Sequence, residues 1–450
     1  MIKLFLLFIL SYAGIYSQAK KTTTDEEAYN PKELEQLIKK EIDKSKDSSP
    51  IRFGAFIDSY YSHNLNKPKI TERNYTTQAV RNDEVNINLA HIDAKMEDEK
   101  FRGRVALQFG TSVNANYAPE STNQKYSNQL SVRNIQEAYA GIKISKKTWL
   151  DAGIYFGHIG FESWISGYNW IYTRALVLDY VPYYSSGFRL SHDISDKLKI
   201  QFHLMNGWSI VTDNNKNKSV GMQIAYRPIH HFLFTYNLFI GNEIPTNNTT
   251  NSLGQVALEP RGNERNTRYY HNFIGHIDIS PRLMVAASFD VGYQRSPNTL
   301  EYDPIQTALI SRNFNVQLSS PYIQRPSSDA FKQWYNGTFW ITYKLTDVWR
   351  ISGRLERYVD REFVNVTEAK RSEIYNKTPY TERKAGGYSV INGFQVSGIS
   401  ICLDYNINEI ALFRFESKFM KSMDPIFDYK NSSDLSRIER LLITAVTVKY

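Results

Sequence analysis

The chain has 450 residues, a net charge of +8, a hydrophobic content of 42% and a mean hydropathy of −0.46. That hydropathy excludes a helical membrane protein, and a single cysteine, Cys402, excludes an internal disulfide and a cysteine metal cluster. The 31 tyrosines and 24 phenylalanines point to β-structure with amphipathic anchors, and no Lys/Arg stripe with stacking aromatics argues for nucleic acid.

At the N-terminus, Lys3 followed by the apolar run Leu4–Leu10 reads as a secretory signal, too short to cross a bilayer. Ser17-Gln18-Ala19 is a small-x-small cleavage site, so residues 1–19 are expected to be removed, with cleavage after Ser17 as the alternative. Residues 20–50 form a polar segment expected on the periplasmic side. Within it, 31–46 reads as a short helix capped by Asn30 and begun by Pro31, with Leu34, Leu37, Ile38 and Ile42 on one stripe. A spacer is its plainest role; packing under the domain that follows and pairing between subunits are the alternatives.

From Ile51 the apolar period changes to two. Sixteen strands are expected, starting near Ile51, Val85, Arg102, Val132, Trp149, Ser185, Leu198, Lys218, Phe232, Tyr269, Arg282, Phe331, Val348, Ser397, Glu409 and Ile438. Most are about ten residues long, the length a tilted strand needs to cross a bilayer. Ile399, Ile401, Leu403, Tyr405 and Ile407, for example, take one face, and Ser400, Cys402, Asp404 and Asn406 the other. In the second strand Val85, Ile87 and Leu89 slip phase to Ile92, Ala94 and Met96, which a bulge near Leu89–His91 would explain. Fourteen or eighteen strands follow if Ile171–Leu178 is a strand, or if others lie in 295–330 or 360–396.

Short turns, such as 97–100, 145–147 and 280–281, alternate with long segments, such as 62–84, 111–131, 156–184 and 242–268. With an even strand number, this is the pattern of an all-β, transmembrane antiparallel barrel of the outer-membrane kind, spanning 51–450. No later run of about 18 apolar residues offers a helical span. The last strand places Val446, Val448 and the final Tyr450 on one apolar face, a pattern resembling the signal read by the bacterial barrel-assembly machinery.

The third long segment, 156–184, carries Phe156, Phe161, Trp164, Tyr168, Trp170, Tyr172, Tyr180, Tyr183 and Tyr184. Gly157, Gly160, Gly167 and Pro182 prevent a helix, and so much aromatic surface is costly in water. The segment is therefore expected to fold into the lumen and narrow it. Glu162, Arg174 and Asp179 are its candidate polar groups. Trp164 and Trp170 are candidate stacking faces for ring-bearing solutes or, more plainly, part of the loop's own core. Because outward positions are apolar, charged strand residues should face the lumen: Arg52, Arg102, Arg104, Glu137, Arg189, Asp290, Arg350, Arg354, Glu356, Asp404, Arg414 and Glu416. Either they form opposed basic and acidic walls with a transverse field, or they pair and solvate a wet interior. No HExxH, G-x-S-x-G or phosphate-binding glycine loop is present, so no catalytic residue, metal or cofactor is expected.

Several stretches carry a family resemblance: HIGFES (His158–Ser163), NWIYTRAL (Asn169–Leu176), DYVPYYSSG (Asp179–Gly187), NGW (Asn206–Trp208), FIGNE (Phe239–Glu243) and RYYHNF (Arg268–Phe273). On these the chain, from about Phe53 to Tyr450, resembles outer-membrane β-barrel porins of the OmpL-like, porin-2 type common in Bacteroidetes. The resemblance implies a water-filled channel in the outer membrane, passive diffusion of small hydrophilic solutes, contact with outer-membrane lipid, and a homotrimer. A surface receptor or adhesin using the long loops, and a barrel-borne hydrolase, are the competing readings.

Overall fold

The period-two alternation becomes a closed sheet. A computed structural model describes residues 51–117, 132–213, 215, 217–243, 267–295, 299–302, 322–325, 331–361, 364–366 and 393–450. In chain order the strands are β1 (Ile51–Asn64), β2 (Val85–Glu97), β3 (Phe101–Phe109), β4 (Ile135–Ser145), β5 (Thr148–Phe156), β6 (Tyr184–Ser195), β7 (Leu198–Met205), β8 (Ser219–Ile229), β9 (Phe232–Asn242) and β10 (Thr267–Asp278). They continue as β11 (Leu283–Arg295), β12 (Thr299–Tyr302), β13 (Tyr322–Arg325), β14 (Phe331–Lys344), β15 (Trp349–Asp360), β16 (Phe394–Asn406), β17 (Ala411–Ser422), β18 (Phe427–Tyr429), β19 (Asn431–Ser436) and β20 (Ile438–Lys449). Sixteen of them form one closed antiparallel barrel, while β12–β13 and β18–β19 are separate two-stranded pairs within long connections. Closure comes from β1 on β20, paired from Phe56↔Lys449 to Asn64↔Leu441. A closed ladder leaves no edge and satisfies the backbone internally, the condition for spanning a membrane with strands.

Outward side chains such as Val105, Leu107, Phe289, Leu355, Ile399 and Ile401 are exposed, as a lipid-facing belt requires. The phase slip in β2 is a bulge: Asp58 pairs with Leu89 and Ser59 with Ile87, leaving Asn88 as the extra residue, just ahead of the expected place. β4 starts at Ile135 rather than Val132, because residues 132–133 are helical. Ile171–Leu178 is not a strand; Leu176–Tyr180 is a 3-10 turn. The expected signal (1–19) and helix (31–46) lie outside the described residues.

The lumen side is less polar than strand alternation suggests. Tyr60, Phe239, Tyr270, Trp334, Trp340, Tyr358, Leu441 and Ile443 point inward and are buried with Ile171, Tyr172, Leu176, Val177 and Leu178 in one apolar cluster. Each such side chain stabilises the packed interior by roughly 1.5–3 kcal/mol. The first long connection joins it. Tyr75 and Ala79 are buried there, both in left-handed backbone, at φ 60° and 47°. Arg73 reaches Glu439 at 3.1 Å, with both side chains buried.

Candidate pore constriction

Residues 157–183 run from the end of β5 to the start of β6 and rest on the inner faces of strands around the barrel. The root is held by histidine. His158 Nε2 donates to Leu238 O at 2.9 Å, and its carbonyl accepts from Gln223 Nε2 at 2.9 Å. The ring stacks on His203 at 4.2 Å and 20°. Gly221 makes room: a Cβ there would sit 2.6 Å from His158 Cε1. Burial lowers the His158 imidazole from 6.5 to about 4, against the opposing hydrogen bond to Leu238.

Beyond the root the chain turns at Gly160, whose φ of +105° favours glycine and whose Cβ would meet Leu178 at 2.4 Å. Its N–H faces Asn272 Oδ1 at 3.4 Å. Asn272 belongs to a chain of amides across neighbouring strands. Gln223 donates to Asn237 at 2.8 Å, Asn237 to Asn272 at 2.7 Å, and Asn272 to Asp290 at 2.6 Å. Asn336 completes the run at 3.2 Å from Asp290. Asn237 and Asn272 each accept from behind and donate forward, so the chain ends on a carboxylate that only accepts.

The middle is held by ion pairs. Glu162 accepts from Ala175 N at 2.6 Å, Trp340 Nε1 at 3.0 Å and Arg354 Nη1 at 3.2 Å. Burial pushes its carboxyl above the usual range, and the Arg354 charge pulls it back. Arg354 also donates to Thr173 O at 2.5 Å and lies 3.3 Å from Glu356. Glu356 accepts from Leu176 N at 2.5 Å, and Glu416 from Thr173 N at 2.7 Å. Arg414 pairs with Asp404 at 2.8 Å and donates to Ser166 O at 2.7 Å and Asn169 O at 2.8 Å. Asp58 accepts from Ser166 Oγ at 2.8 Å. The backbone polar groups of a non-helical segment in a dry interior need partners, and these charged side chains supply them.

The far end meets the first connection. Asp179 accepts from Thr77 N at 3.2 Å, and Arg174 Nη2 donates to Thr77 Oγ1 at 2.8 Å. Arg174 also lies 3.7 Å over the Tyr183 ring and 5.5 Å over Trp164.

Glu162, Arg174 and Asp179 thus have side chains 1%, 0% and 3% exposed, spent on docking the segment. Trp164 is buried, while Trp170 is half-buried against Phe161 at 5.3 Å and His276 at 5.5 Å. The strand charges fall into two sets. Asp290, Arg354, Glu356, Asp404, Arg414 and Glu416 are buried. Arg102, Arg104 and Arg189 remain 21%, 19% and 17% exposed, against Asp151, Asp93 and Glu137 on strands one or two away in the sheet. Arg350 shares Asp404, and Arg52 sits on the short-turn rim with Glu97 at 3.5 Å. Opposite charges therefore interleave on strands one or two apart.

Asp93 and Asp151 escaped the sequence reading although both fall in a polar phase. Thr77, the histidine pair and the amide chain left no comparable signal.

A closed sixteen-strand barrel with an apolar belt outside, charges inside and a long connection across its lumen defines an outer-membrane porin architecture. Residues 50–450 match the family described as "Putative beta-barrel porin-2, OmpL-like", and the chain belongs to that family. Comparison with curated proteins gives no match. Among solved structures, the chain is similar to OprB of Pseudomonas putida (TM-score 0.51, 9% identity, 89% of this chain and 94% of that one). It is also similar to in-vitro folded OmpT, an outer membrane protein of Vibrio cholerae (TM-score 0.50, 9% identity, 90% and 99%). An anion-selective porin from Comamonas acidovorans follows (TM-score 0.47, 6% identity, 89% and 99%). At such identities the likeness concerns fold alone; family and fold together place the chain in an outer membrane.

Proposed function

We propose that this porin passes small hydrophilic solutes by passive diffusion through the part of the lumen that segment 157–183 leaves free. The asymmetry of the inner wall carries the reading. Inward side chains of β14 to β17, β20 and β1 are mostly buried beneath the segment, whereas Tyr139, Gln201 and Thr235, on β4, β7 and β9, are only half-buried. The passage runs along that second wall, past Arg102, Arg104 and Arg189. Glu162, Arg174 and Asp179 set its width from behind, by holding the segment. Since each exposed arginine has an acidic neighbour, selectivity between small anions and cations is weak.

The rest of the reading follows from the sequence. The 1–19 leader delivers the chain across the inner membrane. Val446 and Val448 are 41% and 39% exposed on the outer side of β20, and Tyr450, just past its end, is 68% exposed, open to the assembly machinery. A homotrimer rests on family resemblance alone. The chain turns over no substrate and couples no energy.

Single-channel conductance of the refolded protein in a planar bilayer, at two salt concentrations, tests the reading. A steady conductance that rises when the middle of 157–183 is shortened is expected. A correctly folded barrel that conducts nothing would overturn it and favour a receptor built on the external loops.

A further inference from the structure

One aromatic of the 157–183 segment breaks the pattern. Trp164 and Tyr172 are buried and Phe161, Trp170 and Tyr183 at least half-buried, but Tyr168, at the turn Ser166–Tyr168, is 64% exposed. It borders a cavity of about 490 Å³ near the short-turn rim, together with Phe56, His91, Asp93, Arg104 and Lys449. The volume lies within the range of small-molecule sites.

The charges there are unequal. Arg104 is balanced by Asp93 at 3.0 Å and by Glu137. Lys449 has no carboxylate within ion-pair distance among the described residues, and its ammonium lies 5.8 Å over the Tyr168 ring. His91 stacks on Phe56 at 5.5 Å and is 6% exposed, and its Nδ1 has no hydrogen-bond partner. The cavity thus offers an exposed aromatic face and one unpaired cation.

We propose that this cavity is a binding site for small ring-bearing monocarboxylates, entered from the periplasmic side of the channel. The solute's carboxylate pairs with Lys449 and its ring lies on Tyr168. The Lys449 ammonium repels a cationic solute of the same shape, while Asp93 is held by Arg104 at 3.0 Å, so the site distinguishes solutes by charge as well as by ring. Selection by a pair of nearby groups would make a weakly selective channel retain one class of solute longer than others. The inference rests on the porin reading for the solute's route, but binding itself does not require conduction.

The test is saturation-transfer NMR on the full mature protein in detergent micelles, with benzoate, acetate and benzylamine as probes. Benzoate is expected to bind at least about 5-fold more tightly than either of the others. Tyr168→Leu and Lys449→Gln should each weaken benzoate by roughly 3- to 10-fold, and Lys449→Arg should retain it. Folding of every variant is checked by heat-modifiable gel migration, and Tyr168→Leu serves if Lys449→Gln impairs assembly. Benzylamine binding as tightly as benzoate, or benzoate affinity unmoved in folded Tyr168→Leu, would overturn the proposal. Benzoate binding without conductance would count against the porin reading alone, and conductance without a preference for benzoate against this site alone.

Discussion

At the scale of single residues, the root of the segment is the sensitive point. His158 is stacked on His203 in a site where His158 Nδ1 and both ring nitrogens of His203 have no hydrogen-bond partner. The lowered His158 value means the docked form favours neutral imidazole. A group whose value is depressed on folding contributes stability that is complete above its ordinary value, near 6.5, and lost as pH falls through about 4. The full shift corresponds to about 3 kcal/mol. Acidification from pH 7 to 4 should therefore loosen the root, seen as faster proteolysis within 157–183 and noisier channel current. Glu162, raised by burial, works in the other direction, so His158→Gln should remove the acid-side loss; a pH response unchanged in that variant would exclude His158 as its source. Gly221→Ala acts on the same point from the strand. Its Cβ would overlap the imidazole at 2.6 Å, so it should destabilise the docked segment by roughly 1–3 kcal/mol. Protease sensitivity within 157–183 at neutral pH, absent from the parent, would report it.

At the scale of elements, segment 157–183 is a loop whose backbone is held by buried charges. Arg354 serves Glu162, Glu356 and Thr173 O together. Removing it leaves two buried carboxylates without their main counter-charge, a loss of about 3–5 kcal/mol. Arg52, 71% exposed on the rim, should change stability by less than about 1 kcal/mol when replaced. Arg354→Ala should thus release the segment and raise conductance, with Arg52→Ala near the parent in both; equal effects would mean that Arg354 does not anchor it. The strands themselves were legible, since alternation around Ile399–Ile407 or Leu283–Tyr293 identifies both a strand and its lipid face. What alternation does not reveal is whether the other face meets water or protein. Tyr60, Trp334 and Trp340 occupy inward positions and signal a filled lumen only when set beside the aromatics of 157–183. Likewise Glu162, Arg174 and Asp179 were legible as a polar group, but their burial depends on Thr77, Trp340 and Arg354, each more than 90 residues away in sequence. The bulge at Asn88 was nearly placed because a phase slip is itself a sequence signal.

At the scale of the molecule, the barrel separates two environments, and its stability should depend on how deep in the belt a charge is placed. Ile401 lies in the middle of β16, is 54% exposed and points outward. Val448 points the same way but lies near the end of β20, where the strands meet the short-turn rim, and is 39% exposed. Both side chains leave one solvent for another on insertion, so the fold is the same and only depth differs. A lysine at the bilayer midplane costs about 2–4 kcal/mol, and one near the interface about 0–1 kcal/mol. Ile401→Lys should therefore lower the unfolding free energy in phospholipid vesicles by at least about 2 kcal/mol more than Val448→Lys does, measured by guanidinium titration of tryptophan fluorescence. The comparison also separates the belt from the lumen. Ser400 is the inward neighbour of Ile401 and sits within reach of Arg354 at 3.2 Å. Ser400→Ala removes that contact without touching lipid, so its effect should be the same in vesicles and in detergent, whereas that of Ile401→Lys should shrink in thin or fluid micelles. Equal costs for the two lysines would mean that the apolar outer face of β16 is not at the depth where the hydrocarbon is.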